Sequence, residues 1–170
     1  MIPIALDPRF ARIAVVGDGA RAARRHAALR AAGAEDARWF LDASAGAQAL
    51  PTLHGLWIVD VPPETALELA LRAREARVLV NVEDSPALCD FHSMAEVRRG
   101  DLLLTVSTAG AAPGLARVIR GHLEARFGEE WGERVAEVRR LRARWRDAGV
   151  APSDTAQRIA ALATARGWLA

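Results

Sequence analysis

Up to Ser107 the hydrophobic positions fall in short apolar runs separated by stretches with helical spacing; beyond it only helical spacing remains. The runs Ile13-Ala14-Val15-Val16, Leu56-Trp57-Ile58-Val59 and Val78-Leu79-Val80-Asn81 show no polar alternation. That pattern belongs to strands covered on both faces of a parallel sheet. A shorter strand is expected at Arg38 to Leu41, followed by a loop containing Gly46 and Pro51. Between the runs, Ala20 to Ala32, stopped by Gly33, reads as a helix. So does Pro63 to Arg77, with Ala66, Leu67, Ala70 and Leu71 on one face. This alternation predicts an α/β fold with a parallel sheet. Phe91 to Val97 and Leu102 to Ser107, flanking Arg99-Gly100-Asp101, predict an antiparallel hairpin added after it.

The remainder predicts three helices. Pro113 suits the first position of one running to Phe127. A second spans Glu129 to Ala148, ended by Gly149 and Pro152, and Ser153 can cap the last, through Arg166. On the second, Trp131, Val135, Val138, Leu141 and Trp145 form one apolar stripe. Three helices make a thin layer, so the stripe is expected to be buried against a second copy, in a homodimer. Arginines of the same helix are mixed with Glu133, Glu137 and Asp147, which argues against a nucleic-acid partner.

Composition narrows the class. With 51% hydrophobic and 26% charged residues, the chain can build a folded core. No apolar run is long enough to span a bilayer and no export signal opens the chain, so a cytoplasmic protein with no membrane partner is expected. Cys89 is the single cysteine, which excludes an internal disulfide and a cysteine zinc cluster. The formal charge of +2 gives no case for nucleic acid, and every one of the 23 basic residues is arginine.

The chemistry concentrates at Gly17-Asp18-Gly19-Ala20-Arg21-Ala22, between the first strand and the first helix. Gly17 permits a sharp turn, Gly19 permits close approach to a pyrophosphate, and small Ala22 permits tight helix–strand packing. The helix start would then face the phosphates of a dinucleotide. Taken alone, the same residues describe a tight strand-to-helix turn. Ligands of open α/β sheets gather at the exits of parallel strands, and two acids, Asp42 and Asp84, sit at such points. Asp42, about twenty residues past the glycine turn, stands where a carboxylate receives the ribose hydroxyls of NAD. No arginine follows it directly to take a 2′-phosphate, so NAD is expected over NADP; an exposed loop acid is the other reading. Asp84, in Asn81-Val82-Glu83-Asp84-Ser85-Pro86, could accept a proton or hold a metal ion, or could simply serve the turn.

These residues carry a resemblance. The glycine turn, the Asn81 to Pro86 loop, Phe91, Arg98-Arg99-Gly100-Asp101-Leu102 and Val106 to Arg117 together resemble the precorrin-2 dehydrogenase and sirohydrochlorin ferrochelatase family, the amino-terminal module of siroheme synthase. The resemblance implies a Rossmann-type, NAD-binding domain (1–112) followed by an all-helical dimerisation and substrate-cleft region (113–170). It implies that Gly17, Asp18, Gly19, Ala20, Ala22, Asp42, Asp60 and Val61 hold NAD, and that Asp84 is the catalytic aspartate. Asn81, Ser85, Ser107 and Arg117 would then meet the tetrapyrrole. Precorrin-2 would give a hydride to NAD and a proton to a base, and Asp84 could later contact Fe(II) or Co(II) during chelation. Arg98, Arg99, Arg117 and Arg120 are expected as clamps for a polycarboxylate. Between Asp42 and Leu56 the chain is shorter than the family by about one strand and one helix, and in the 3-2-1-4-5-6 order the loss falls on the sheet edge. A chelatase without NAD and a non-catalytic binding dimer are the alternatives.

Overall fold

β1 (Ile13–Val16) is buried along its whole length. As a run of β-branched and small residues it can sit at the centre of a sheet covered on both faces. It pairs in parallel with β2 (Arg38–Phe40) on one side and β3 (Gly55–Ile58) on the other, and β3 pairs in parallel with β4 (Leu79–Val82). The order β2-β1-β3-β4 leaves β2 at the edge where the missing strand was expected. This computed structural model describes residues 2–169, and its chain divides into two compact units, Met1–Ser93 and Met94–Ala170.

Strand periodicity sorts the core of the first unit into two layers. Ala14, Val16, Leu56, Ile58, Val80 and Val82 face one way, against α2 (Ala43–Ala49) and α3 (Pro63–Glu75). Ile13, Val15, Trp57 and Val59 face the other way, against Ala22 and Leu29 of α1 (Ala20–Ala31) and against Phe91, whose ring meets Trp57 edge-on at 4.8 Å. Two expectations need correction here. The segment with Gly46 is a helix rather than a loop: Asp42 caps it by accepting from Ala45 N–H at 2.8 Å, and its small residues Gly46, Ala47 and Ala49 are buried. On α3 the buried face is Ala66, Leu69, Ala70 and Ala73, whereas Leu67 and Leu71 are exposed. Alanines let that helix lie close to the sheet, so the large side chains turn outward.

The predicted hairpin forms, as β5 (Ala95–Arg99) and β6 (Leu102–Val106), but it does not extend the parallel sheet. It is a separate two-stranded antiparallel sheet in register Arg99↔Leu102, and Gly100, at φ 55°, makes its two-residue turn. It belongs to the second unit with α4 (Pro113–Arg126), α5 (Glu130–Asp147) and α6 (Pro152–Ala165). That unit is therefore not helical throughout, and the compact units part at Ser93 rather than at 112. Pro152, not Ser153, opens α6. The α5 stripe is half-buried within the unit: Trp131 meets Phe127 at 5.1 Å and Trp168 at 6.4 Å, and Arg134 lies over both indoles. Instead, the exposed apolar face lies on α4, at Leu115, Val118 and Ile119. Among the described residues no helix is long and apolar enough to cross a membrane.

Candidate functional site

Gly17 leaves β1 at φ 144°, with its N–H on Phe40 O at 2.9 Å and its carbonyl accepting from Trp39 Nε1 at 2.8 Å. A Cβ at Gly17 would collide with the Val59 carbonyl, so only glycine fits. The turn delivers the chain to Gly19, the N-cap of α1, which has no side chain to satisfy the first N–H groups. Nor does α1 carry an acid in its first turn. It carries Arg21 there, a cation where the helix dipole disfavours one.

The missing anion comes from β3. Asp60, leaving that strand at φ 56°, points its carboxylate at the start of α1. Oδ2 accepts from the N–H of Arg21 at 3.0 Å and of Ala22 at 3.3 Å, and Oδ1 accepts from Arg21 Nε at 2.5 Å. The carboxylate fills the space that a Cβ on Gly19 would need. Arg21 continues to the exit of β4: its NH1 donates to Asp84 Oδ2 at 2.5 Å, and its Nε lies 3.7 Å from Glu83 Oε2. Arg25, one helical turn along, reaches Glu83 Oε1 at 3.5 Å. Glu83 Oε2 and Arg25 Nε are buried without a hydrogen-bond partner. Three carboxylates thus face two guanidiniums. The Arg21 hydrogen bond, with smaller help from the Ala22 and Arg21 N–H groups and against partial desolvation, holds the Asp60 carboxyl below the usual carboxylate range. In turn Asp60 first, and then Asp84, raise the Arg21 guanidinium.

Asp84 stands on this cluster at φ 60°, with its side chain 77% exposed. Oδ2 is engaged by Arg21 and Oδ1 is open. The loop beneath it is held by two expected residues and one unexpected one. Buried Asn81 donates from Nδ2 to Phe91 O at 2.9 Å, so it shapes the loop from inside rather than presenting its amide to a ligand. Half-buried Ser85 accepts at its carbonyl from Cys89 Sγ at 3.4 Å. Cys89, given no role by the sequence, staples the loop: its single S–H lies between the Ser85 carbonyl and Val82 O, the latter at 3.2 Å, and its sulfur accepts from Val82 N–H at 3.3 Å.

The other expected residues scatter. Asp18 and Ala20 lie exposed at the turn, and Val61 packs on the core beneath α3. Asp42 uses Oδ1 to cap α2, which leaves Oδ2 open. Ser107 and Arg117 belong to the second unit and are exposed. There Ser107 Oγ accepts from Ala109 N–H at 3.2 Å. Of the expected clamps, Arg98 pairs with Glu96 and Arg120 with Glu124. Arg99 departs from the expectation: its side chain is only 11% exposed, and it donates to the Phe127 carbonyl at 2.9 Å, holding its own unit together. Among the described residues no three acids, histidines or cysteines are grouped to hold a metal ion. The residues missed were Arg21, Arg25 and Glu83. The signal for Arg21 was present in the sequence: an arginine in a first helical turn that has no acid of its own requires acids from elsewhere.

No family model matches the chain. It is similar to the siroheme synthase of Thiobacillus denitrificans, at 32% identity over 165 residues that take in 86% of this chain and 34% of that protein. It is also similar to the siroheme biosynthesis protein met8 of Schizosaccharomyces pombe, at 31% identity over 97 residues, 57% of this chain and 37% of that protein. The chain thus spans about a third of the length of the curated relatives it matches. In fold it matches the solved structure of SirC, precorrin-2 dehydrogenase, with a TM-score of 0.70 and 20% identity over 100% of this chain and 93% of that one.

Proposed function

The chain belongs to the family of the siroheme synthase amino-terminal module, and from that premise we propose that it oxidises precorrin-2 to sirohydrochlorin with NAD as acceptor. The observation that carries this reading is the convergence of the glycine turn and Asp84 on one cluster at the exits of β1, β3 and β4, where open parallel sheets take their ligands. The start of α1 accepts an anion, and Asp60 now fills that role, so the donors there suit a pyrophosphate. The Gly17 to Ala22 turn with Arg21 would hold the phosphates, and the open oxygen of Asp42 would take ribose hydroxyls and favour NAD over NADP. When bound, NAD supplies the hydride acceptor. The chain's own part is the proton. Asp84 Oδ1, open and exposed while Arg21 orients the same carboxylate through Oδ2, is the atom that would receive it.

The tetrapyrrole would lie against the Asp84 loop, whose shape Asn81, Ser85 and Cys89 maintain. Its carboxylates call for arginines, and of those expected Arg117 is exposed and, unlike Arg98, Arg99 and Arg120, is in no ion pair among the described residues. A homodimer through the second unit is part of the same reading, because Leu115, Val118 and Ile119 leave an apolar face on α4 uncovered.

Asp60 also favours a second reading. A chain whose phosphate seat is already filled by its own carboxylate could act without NAD, inserting Fe(II) into sirohydrochlorin, with Asp84 receiving a pyrrole proton. Anaerobic incubation with precorrin-2, with and without NAD, and with sirohydrochlorin plus Fe(II), followed by absorbance, separates the two. Sirohydrochlorin formed only with NAD supports the dehydrogenase. Metal insertion with no oxidation in any arm supports the chelatase and refutes the first reading.

A further inference from the structure

We infer that Asp60 sets the dinucleotide affinity of this chain: it is a built-in competitor for the pyrophosphate seat, and Arg21 is the latch that keeps it there. The inference rests on the reading of the glycine turn as a dinucleotide site and adds a residue that controls it. Three observations carry it. The donors that a phosphate would use, the N–H groups of Arg21 and Ala22, both end on Asp60 Oδ2. Close approach to Gly19, the space its missing side chain leaves for a ligand, is taken by the same carboxylate. The arginine nearest the seat is spent on Asp60 and Asp84, with Glu83 3.7 Å away, so the surroundings are net negative rather than ready for an anion.

A pyrophosphate and the Asp60 carboxylate cannot share the two N–H groups, so binding requires Asp60 to swing out. The same movement frees Arg21 from Oδ1 of Asp60 to meet the phosphates. Asp84 is held by NH1 of the same guanidinium, not by the Nε that Asp60 occupies, so it keeps its partner as the cofactor site fills. Asp60 therefore weakens dinucleotide binding.

The test compares wild type with Asp60→Asn and Asp60→Gly. Both replacements tolerate the positive φ of this position, so the backbone has no reason to change. Asparagine keeps the shape but removes the charge and the ion pair, whereas glycine empties the seat. NAD binding is measured by titration calorimetry on the full chain, with adenosine, which lacks the pyrophosphate, as control. Both variants should bind NAD at least about tenfold more tightly, equivalent to about 1.4 kcal/mol, with adenosine affinity unchanged. Equal NAD affinity in all three proteins would overturn the gate while leaving the NAD reading intact. Weaker binding in both variants would overturn it by showing that Asp60 builds the seat rather than filling it. No NAD binding in any of the three would remove both the gate and the NAD reading.

Discussion

Replacing Asp84 by asparagine separates chemistry from structure because the fold asks so little of this side chain. It is 77% exposed, and its one side-chain partner is Arg21, at 2.5 Å. An exposed ion pair adds little to stability. Asparagine is among the residues that best tolerate a φ of 60°, so the backbone is not strained by the change. The Nδ2 group that replaces an oxygen cannot accept from Arg21, but Arg21 keeps Asp60. The melting temperature should therefore move by no more than about 2 °C. Catalysis is a different matter. If Asp84 Oδ1 takes the proton released during oxidation, the amide has no basic oxygen to replace it, and turnover should fall by about a hundred- to ten-thousand-fold. The assay is anaerobic conversion of precorrin-2 with saturating NAD, run beside a thermal melt and an NAD titration. Near-normal turnover in a protein with unchanged melting would refute the assignment of Asp84 as the base.

Leu56→Ala, at a position with no exposure in the layer beneath α2 and α3, should cost about 2–5 kcal/mol in urea denaturation; a cost under about 1 kcal/mol would mean that this layer is not the core of the first unit. The second unit should sediment as part of a dimer at micromolar concentration, and Val118→Arg, on the exposed face of α4, should shift the protein to monomer. A monomeric wild type would contradict this. Acid should weaken the first unit in a predictable direction. Because the Asp60 carboxyl is held below its ordinary value, its contribution is complete above the unfolded pKa of about 4 and is lost as pH falls through the lower folded value. Wild type and Asp60→Asn should thus differ in stability near neutrality and converge in strong acid; a constant difference across that range would show that the Arg21 pair contributes nothing.

The first strand, its turn and its helix were legible because their signals are local: an unbroken apolar run, two glycines and an alanine-rich helix. α2 was not, since its residues are small and carry no apolar stripe, and what makes it a helix is the Asp42 cap together with burial beneath the sheet. Asp42 itself was read as a ligand residue or an exposed loop acid, not as a cap, although its Oδ1 is engaged in one. The hairpin was visible in its turn, but its place in the second unit depends on contacts distant in sequence, such as the Arg99 bond to the Phe127 carbonyl. At the site, Asp84 was picked out as a strand-exit acid and Asp60 as a cofactor contact. Their connection was not, because Arg21 joins residues 39 and 63 positions away along the chain. A pattern read residue by residue names each carboxylate but cannot say that one guanidinium holds both.

In the proposed reaction this chain removes two electrons from precorrin-2 and passes them to NAD. The most direct test is the stoichiometry of a single anaerobic turnover, with NADH and sirohydrochlorin quantified from the same reaction. One NADH for each sirohydrochlorin is the result expected; sirohydrochlorin without NADH, or neither product from a folded protein, would contradict it.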